Sequence, residues 1–471
     1  MIYSHILLQN RTRHCPKHWL PSSLADQHFK GGYMDTLAKL KAGLLTGASR
    51  VQIASGLTEF PRELFNLTDS LEIIDLSGNQ LSTLPDDFDR FTKLRILFLS
   101  NNNFETVPQV LAACPALSMI GFKSNRISQV PEDALPEALR WLILTDNQIH
   151  KLPDSMGKHM QLQKLMLAGN LLTSLPESMS QCKNLELVRI SANKFTDLPM
   201  WLLHLPKLSW LAFAGNPCSQ SLHDHSLPEI HWDELEVGGV LGQGASGVIN
   251  KATWSDKGNV ALKTFKGKVT SDGFPADEMA AAIAAGKHDH LVEVIGKLKG
   301  HPEEKDGLLL SLIADDFRNL AEPPCLDSCT RDRYTDGQTF SLKKSINIAT
   351  AIAAAAAHLH QQGISHGDLY GHNILLNDDA HCLLSDFGAA SLHKHFPETK
   401  SEAIERLEVR AFACLLEELL AHIQPEDNSA SEATALNLLH EIRAACATEQ
   451  TPQRPLFKDI SQTLKSISLA A

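Results

Sequence analysis

Apolar and polar positions in the first half of the chain repeat with a period of 23 residues, with one unit of 22. In each unit a leucine is followed eight positions later by an asparagine. These asparagines are Asn79, Asn102, Asn125, Asn147, Asn170, Asn193 and Asn216. A unit of this length holds one short strand and a return segment, which cannot bury its apolar side alone. The pattern therefore predicts stacked units that share a continuous core, with an asparagine ladder where the strands turn.

The repeated L-x-x-L-x-L-x-x-N core resembles the leucine-rich-repeat family, which implies a solenoid with a concave face of short strands. Side chains alternate along a strand, so residues between the core leucines face outward on that surface. Several of these are apolar, which predicts a docking surface for a protein substrate or regulator. The residues are Ile96, Phe98, Trp141, Ile143 and Trp210. The alternative, that this face packs on the chain's own second domain or N-terminal segment, stays open.

The pattern divides the chain into four parts. Residues 1–33 lack the repeat and are predicted to be a disordered or non-native extension, with Met34 a candidate for the true start. Residues 34–218 form the repeat domain, whose first segment from Asp35 has the apolar spacing of a capping helix. The polar stretch 219–231 is predicted to be a linker, and 232–471 a second domain.

The second domain carries a series of motifs in a fixed order. A glycine-rich stretch at 241–248 lies between two strand-like segments, and Val-Ala-Leu-Lys follows at 260–263. Glu278 lies in an alanine-rich helical stretch, His-Gly-Asp stands at 366–368, and Asp-Phe-Gly at 386–388. Together these motifs resemble the eukaryotic-like protein kinase family. The resemblance implies an α/β chain in which a leucine-rich-repeat solenoid precedes a bilobal α+β kinase domain.

The resemblance also implies roles for individual residues. Lys263, held by Glu278, would contact the phosphates of ATP, and Asp368 would be the catalytic carboxylate that orients the acceptor hydroxyl. Asn373 and Asp386 would hold Mg²⁺, which prefers oxygen ligands. The remaining nucleotide contacts would come from the glycine-rich stretch and the strand that follows it. They are Leu241, Gly242, Gly244, Gly247, Val248 and Ala261.

The catalytic loop departs from the family pattern at two positions. Gly367 stands where many protein kinases have an arginine that pairs with a phosphate on the activation loop. Tyr370 stands where serine/threonine kinases usually have lysine and tyrosine kinases alanine. The sequence therefore does not identify the amino acid that accepts the phosphate, and a serine or threonine acceptor is favoured on family frequency alone.

The activation segment is expected to be short. Glu408 takes the position of the aspartate that opens the next long helix, only 22 residues after Asp386. Arg454 resembles the family's C-terminal arginine, which pairs with a glutamate. We expect it to be buried against a carboxylate of Glu398, Glu402 or Glu405.

Composition adds mainly exclusions. A net charge of −12 offers no overall basic field for nucleic acid. The most membrane-like stretch, 346–359, is too short to cross a bilayer. Nine cysteines lie scattered without framework spacing, so free thiols and a cytoplasmic location are predicted.

Three functions remain open from the sequence. The first is an ATP- and Mg²⁺-dependent protein kinase that recruits its substrate or regulator through the repeats, similar to soluble leucine-rich-repeat kinases, including bacterial ones. The second is a pseudokinase scaffold that acts through protein binding by the repeats. The third is a small-molecule kinase, because the His-Gly-Asp loop also resembles aminoglycoside and choline kinases.

Overall fold

The computed structural model describes residues 35–219, 227–244, 246–266, 269–424 and 430–467. The predictions for residues 1–33 and Met34 lie outside this part of the chain. Within it, no helix is long and apolar enough to span a bilayer, and every described cysteine is a free thiol.

The first half folds as a solenoid of eight parallel strands. The capping helix α1 (Thr36–Lys41) begins after Asp35, whose carboxylate accepts the backbone N–H of Ala38 at 2.6 Å. The strands pair in sequence order and form the concave face. They are β1 (Arg50–Gln52), β2 (Ile73–Asp75), β3 (Ile96–Phe98), β4 (Met119–Gly121), β5 (Trp141–Ile143), β6 (Lys164–Met166), β7 (Leu187–Arg189) and β8 (Trp210–Ala212). One further short helix, α2 (Met200–Leu203), lies in the last return segment.

The repeated asparagines satisfy the backbone where each strand turns. The side chain of Asn170 accepts the backbone N–H of Ile149 at 3.0 Å. It donates to the carbonyl oxygens of Leu144 and Leu167, both at 2.9 Å. One amide thus joins successive turns of the solenoid, which explains why the asparagine recurs with the leucines.

A six-stranded sheet forms the first lobe of the second domain. Its order is β10-β11-β12-β14-β13-β9, and all neighbouring pairs are antiparallel except β13 and β9. The strands are β9 (Glu229–His231), β10 (Leu235–Gln243), β11 (Gly247–Trp254), β12 (Gly258–Phe265), β13 (Val294–Lys299) and β14 (Gly307–Ser311). Helix α3 (Pro275–Ala285) lies between β12 and β13 in the chain. The end of the predicted linker is therefore strand, because its backbone pairs in parallel with β13.

The second lobe is mainly helical. Its helices are α4 (Leu342–Gln361), α5 (Glu398–Ala421), α6 (Ala430–Ala447) and α7 (Phe457–Lys465). Between α4 and α5 the chain forms short strands around the loop at 366–373. These are β16 (Ile364–Ser365), β17 (Ile374–Leu376), β18 (Cys382–Leu384) and β19 (Ser391–Leu392), with β15 (Arg318–Asn319) paired to β17. The expectation that Glu408 opens a helix is wrong, because α5 already begins at Glu398 after Pro397.

Helix α5 closes the open end of the solenoid. Ala403, Ile404 and Leu407 belong to the same buried cluster as the repeat leucines. A solenoid needs such a cover because its last repeat otherwise leaves an apolar end exposed to water. In return, Leu187 and Trp210 of the repeats belong to the core of the second domain. The two halves therefore share buried surface on both sides of their interface.

Arg454 takes part in the same interface. Its side chain is 1% exposed, as expected. The expectation of a carboxylate partner is wrong. The guanidinium of Arg454 donates instead to the carbonyl oxygens of Thr448, Arg406 and Pro206 at 2.9, 3.0 and 2.7 Å. Glu405 instead accepts the backbone N–H of Phe457. Because α5 already includes Glu398, Glu402 and Glu405, the chain here is helical rather than an extended activation segment.

Replacing Asn170 by alanine tests the asparagine ladder. The change leaves one buried N–H and two buried carbonyl oxygens without this partner, so the free energy of unfolding should fall by about 2–4 kcal/mol. Urea unfolding followed by circular dichroism measures it. The matched change of exposed Asn66 to alanine should cost less than about 0.5 kcal/mol. Equal losses in both variants would contradict a structural role for the ladder.

Candidate active site

A buried ion pair joins the sheet of the first lobe to helix α3. The ammonium of Lys263 on β12 contacts the carboxylate Oε1 of Glu278 on α3. Both side chains are almost completely buried, at 4% and 6% exposure. Burial alone would lower the pKa of Lys263, but Glu278 and Asp386 hold it above its ordinary value. The lysine is therefore a fixed positive charge at the wall of a cleft.

The cleft between the lobes has apolar walls above and below. Ile249 and Ala261 line it from the sheet, and Leu375 lines it from the second lobe. The assignment of Val248 to this wall is not supported. Side chains alternate along β11, so its neighbour Ile249 faces the cleft while Val248 is half-buried and lies outside the lining.

The glycine-rich stretch is the turn between β10 and β11. The backbone N–H of Gly244 donates to the carbonyl oxygen of Gly247 at 2.9 Å, which closes the turn. A Cβ atom at Gly247 would lie 2.5 Å from the carbonyl oxygen of Thr264, so only glycine fits there. Gly242 is buried in β10, and Leu241 packs half-buried against the domain core. Leu241, Gly242, Gly244 and Gly247 do not line the apolar cleft itself.

The loop from His366 to Asn373 carries the predicted catalytic carboxylate. Asn373 Nδ2 donates to the carboxylate Oδ2 and to the carbonyl oxygen of Asp368, both at 2.9 Å. Glu408 anchors the loop by accepting the backbone N–H groups of His366 and Gly367 at 3.2 and 2.7 Å. The same glutamate contacts His360 Nε2 at 2.8 Å. Glu408 thus holds the loop from the middle of α5 rather than from its start.

Asp386 lies on the floor of the same cleft, beside Lys263. Its backbone has a φ of 64°, and its Oδ1 accepts the N–H of Gly388 at 3.1 Å. The left-handed conformation is uncommon outside glycine but is tolerated by aspartate. Asp386, Lys263 and Glu278 therefore meet at one end of the cleft, as the motif order predicts.

Asn373 and Asp386 fit a hard divalent cation. Among the described residues, Asn373 Oδ1 is a buried amide oxygen without a hydrogen-bond partner. Such an oxygen is costly unless a ligand satisfies it. A carboxylate and an amide oxygen are ligands of the type that Mg²⁺ takes together with phosphate oxygens and water.

The side chains of Arg189 and Trp210 in the repeats hydrogen-bond to the catalytic loop. The sequence analysis named Trp210 as a surface residue but did not identify Arg189. Arg189 Nη2 of β7 donates to Asp368 Oδ1 at 2.5 Å, and Arg189 Nη1 donates to the carbonyl oxygen of Gly367 at 3.1 Å. Trp210 of β8 stacks on Tyr370 with ring centroids 4.2 Å apart, and its Nε1 donates to the carbonyl oxygen of Leu369 at 3.0 Å. Trp210 is thus packed on the chain itself. The only sequence signal for Arg189 was its outward position on a strand.

The repeats also contact helix α3 at Asp277. Its Oδ2 is buried and lacks a hydrogen-bond partner among the described residues. A Cβ atom on Gly215 of the last repeat would lie 2.5 Å from that oxygen. Burial raises the pKa of Asp277 to about 6. The carboxylate is therefore an unfavourable charge in the interface at neutral pH.

Replacing Asp277 by asparagine tests this buried charge. The folded protein holds the Asp277 proton more tightly than the unfolded chain, so this group's stabilising contribution is present below about pH 4 and lost as the pH rises to about 6. The variant should be more stable than wild type by about 2 kcal/mol at pH 7.5, allowing for partial solvent exposure, with the difference shrinking toward pH 4. Urea unfolding across this pH range measures it, with exposed Asp336→Asn as the control. A difference independent of pH would contradict the assignment.

Comparison with known proteins gives the same division of the chain. The profile of the family described as protein tyrosine and serine/threonine kinase matches residues 235–414. The leucine rich repeat profile matches 54–104, 137–195 and 160–217.

Individual relatives are distant. A probable LIM domain-containing serine/threonine-protein kinase of Dictyostelium discoideum is 26% identical over 50% of this chain and 27% of its own length. Fibroblast growth factor receptor 1 of Xenopus laevis is 28% identical over 43% of this chain and 27% of its own. Protein-tyrosine kinase 6 of Mus musculus is 23% identical over 51% of this chain and 60% of its own.

The chain thus spans less than two thirds of the length of each of these relatives. The profile matches fall on the parallel-stranded solenoid and on the two lobes around the cleft as far as α5. Profiles, relatives and fold agree: the chain is a fusion of an N-terminal leucine-rich-repeat region with a protein kinase domain.

Proposed function

We propose that the protein transfers the γ-phosphoryl group of ATP to a protein hydroxyl. The observation that carries this proposal is that three charged groups meet in a cleft with apolar walls, close to the loop that holds Asn373 and Asp368. The Lys263–Glu278 pair and Asp386 lie at one end of the cleft. The carbonyl oxygen of Asn373 accepts the hydroxyl of Ser385, the residue before Asp386, and the Asn373 side chain donates to Asp368. Apolar walls suit a flat heterocyclic base, and a fixed ammonium suits its phosphates.

Each polar group has one task in this transfer. Lys263 holds negatively charged phosphate oxygens, and Glu278 keeps the ammonium in place. Asn373 and Asp386 would hold Mg²⁺, which neutralises phosphate charge when bound. Asp368 orients the acceptor hydroxyl and accepts its proton as the oxygen attacks phosphorus. Buried positions for Lys263 and Glu278 strengthen these interactions, because water does not screen them.

We place the acceptor in the serine/threonine class on family frequency. The relatives' names include both a serine/threonine-protein kinase and a protein-tyrosine kinase, so they do not decide it. The loop residue Tyr370 is buried under Trp210 and has neither the lysine of one class nor the alanine of the other.

A small-molecule acceptor is the second candidate. The repeats pack against the catalytic loop, and the side chain of Asp368 is 23% exposed. A covered acceptor side favours a smaller substrate over a folded protein. The two candidates differ in where transferred phosphate is recovered, so one assay separates them.

A phosphate-transfer assay with wild type and two variants tests the function. With γ-labelled ATP and Mg²⁺, Asp368→Ala and Lys263→Met should each lose at least about 100-fold in labelled protein, because each removes a group that acts on the reacting phosphate or hydroxyl. The exposed residues Lys257 and Asp378 provide matched controls, Lys257→Met and Asp378→Ala, which should label as wild type does. Equal labelling in all five proteins would contradict the proposal. Absent labelling in wild type would favour the scaffold, and label in a small alcohol would favour the metabolite kinase.

We further propose that a protein partner docks on the concave face between β3 and β5. Trp141 and Ile143 are half-buried there and keep part of their surface in contact with water. Ile96 and Phe98 lie on β3, which β4 separates from β5, and Ile96 is mostly covered. Trp210, at the other end of the face, is excluded from this surface because it packs on Tyr370.

Changing Trp141 and Ile143 to alanine together tests the docking surface. The double variant should raise KM for a protein acceptor by about 10-fold, because central aromatic contacts dominate protein interfaces. KM for ATP should stay as in wild type. Steady-state kinetics with both substrates measures the two constants, and exposed Met200→Ala serves as the control. An unchanged KM for the acceptor would contradict docking at this face.

A further inference from the structure

We infer that Arg189 of the repeats is a positioning residue of the kinase site. The inference rests on the proposed phosphoryl transfer and adds to it. The catalytic loop, residues 366–373, contains neither lysine nor arginine. Asp368, which carries the one carboxylate of this loop, nevertheless accepts a hydrogen bond from a guanidinium. That guanidinium belongs to Arg189 on strand β7 of the solenoid.

The guanidinium is held rigidly. Nε donates to Asp272 Oδ1 at 2.7 Å, Nη1 donates to the carbonyl oxygens of Trp210 and Gly367, and Nη2 donates to Asp368. The Arg189 side chain is 3% exposed. A buried arginine with this many directed hydrogen bonds has one orientation, so it can fix the orientation of another group.

The carboxylate of Asp368 is consequently held from two sides. Asn373 bonds Oδ2 and Arg189 bonds Oδ1, which sets the plane of the carboxylate. Each oxygen keeps a second lone pair for the acceptor hydroxyl. Transfer depends on geometry, and an acceptor held in the wrong direction reacts far more slowly. Arg189 therefore acts on the reaction through Asp368.

Gly367 makes this arrangement possible. Its φ is 71°, and a Cβ atom there would lie 2.4 Å from the carbonyl oxygen of Ala389 and 2.9 Å from that of Leu211. Any side chain at this position would push the loop away from β8. The glycine allows the solenoid to approach, and the neighbouring strand β7 then brings a cation to the loop.

Charge balance supports the same role. Arg189 lies between Asp272, which precedes α3, and Asp368. A buried cation between two carboxylates is compensated, whereas its removal leaves both anions without their partner. Because Asp272 stands on the segment that leads into α3, the same guanidinium connects the catalytic loop to the helix that carries Glu278.

Steady-state kinetics of Arg189 variants tests the inference, with a protein acceptor that wild type labels. Arg189→Ala should lower kcat about 100-fold while KM for ATP changes less than about 3-fold, because the lost contact orients Asp368 and does not bind nucleotide. Arg189→Lys keeps the positive charge but loses the planar set of guanidinium N–H donors, so the kcat of this variant should fall about 10-fold.

A matched interface variant separates positioning from stability. Ser391 accepts the backbone N–H of Phe213 of the repeats at 2.9 Å and does not touch Asp368. Ser391→Ala should weaken the same interface yet keep kcat within about 2-fold of wild type. Thermal unfolding of every variant confirms that the assayed protein is folded. If Arg189→Ala does not fold, Arg189→Lys decides.

The outcomes are distinct. A fall in kcat for both Arg189 variants with normal kcat in Ser391→Ala supports the inference. Unchanged or increased kcat in folded Arg189→Ala or Arg189→Lys overturns it, and an increase would mean that the arginine blocks the acceptor site. An inactive wild type together with inactive variants overturns the proposed function, and the inference falls with it.

Discussion

The contact between Arg189 and Asp368 is the interaction on which the rest of the arrangement depends. It joins two residues that are 179 positions apart and that belong to different domains. Burying a guanidinium is costly unless anions and carbonyl oxygens surround it. Asp272 of the first lobe and Asp368 and the carbonyl oxygen of Gly367 in the second lobe supply most of that surrounding. The carbonyl oxygen of Trp210 in the solenoid completes it. The solenoid can therefore hold its arginine buried only in the assembled molecule.

Several other features follow from this docking. Helix α5 closes the solenoid end, and Arg454 donates to a carbonyl oxygen of the repeats. Trp210 covers Tyr370, and Gly215 lies against Asp277 on α3. The repeats thus contact the catalytic loop, the helix that carries Glu278, and the first part of α5. Arg189 and Trp210 of the solenoid hydrogen-bond to the catalytic loop of the kinase domain, which has a short segment after Asp386.

Local periodicity explains what the sequence could predict. The strands of the solenoid and the asparagine ladder follow from residues spaced 23 apart, because each asparagine bonds the backbone of its own turn and of the preceding one. The residues at the cleft could be predicted because each belongs to a short motif that lies within a single strand or loop. Lys263 and Glu278 meet as predicted because strand and helix are neighbours along the chain and in space.

Long-range contacts explain what it could not. Arg189 looks like one more outward residue of a strand until Asp368 is placed beside it. Residues 229–231 look like linker because their partner strand β13 lies more than 60 positions later. Ile249 replaces Val248 in the cleft because the strand register sets which face each side chain takes. Helix α5 starts at Glu398 because its first turns cover the solenoid, a surface that local sequence does not reveal.

A double-mutant cycle between Arg189 and Asp368 tests the central claim most directly. The changes Arg189→Gln, which removes the charge, and Asp368→Asn, which is isosteric, are made alone and together, and urea unfolding gives the free energy of each protein. A buried pair predicts a coupling energy of about 2 kcal/mol, so the double variant loses less than the sum of the single variants. Additive losses, within about 0.5 kcal/mol, would show that the two residues do not depend on each other and would contradict the account.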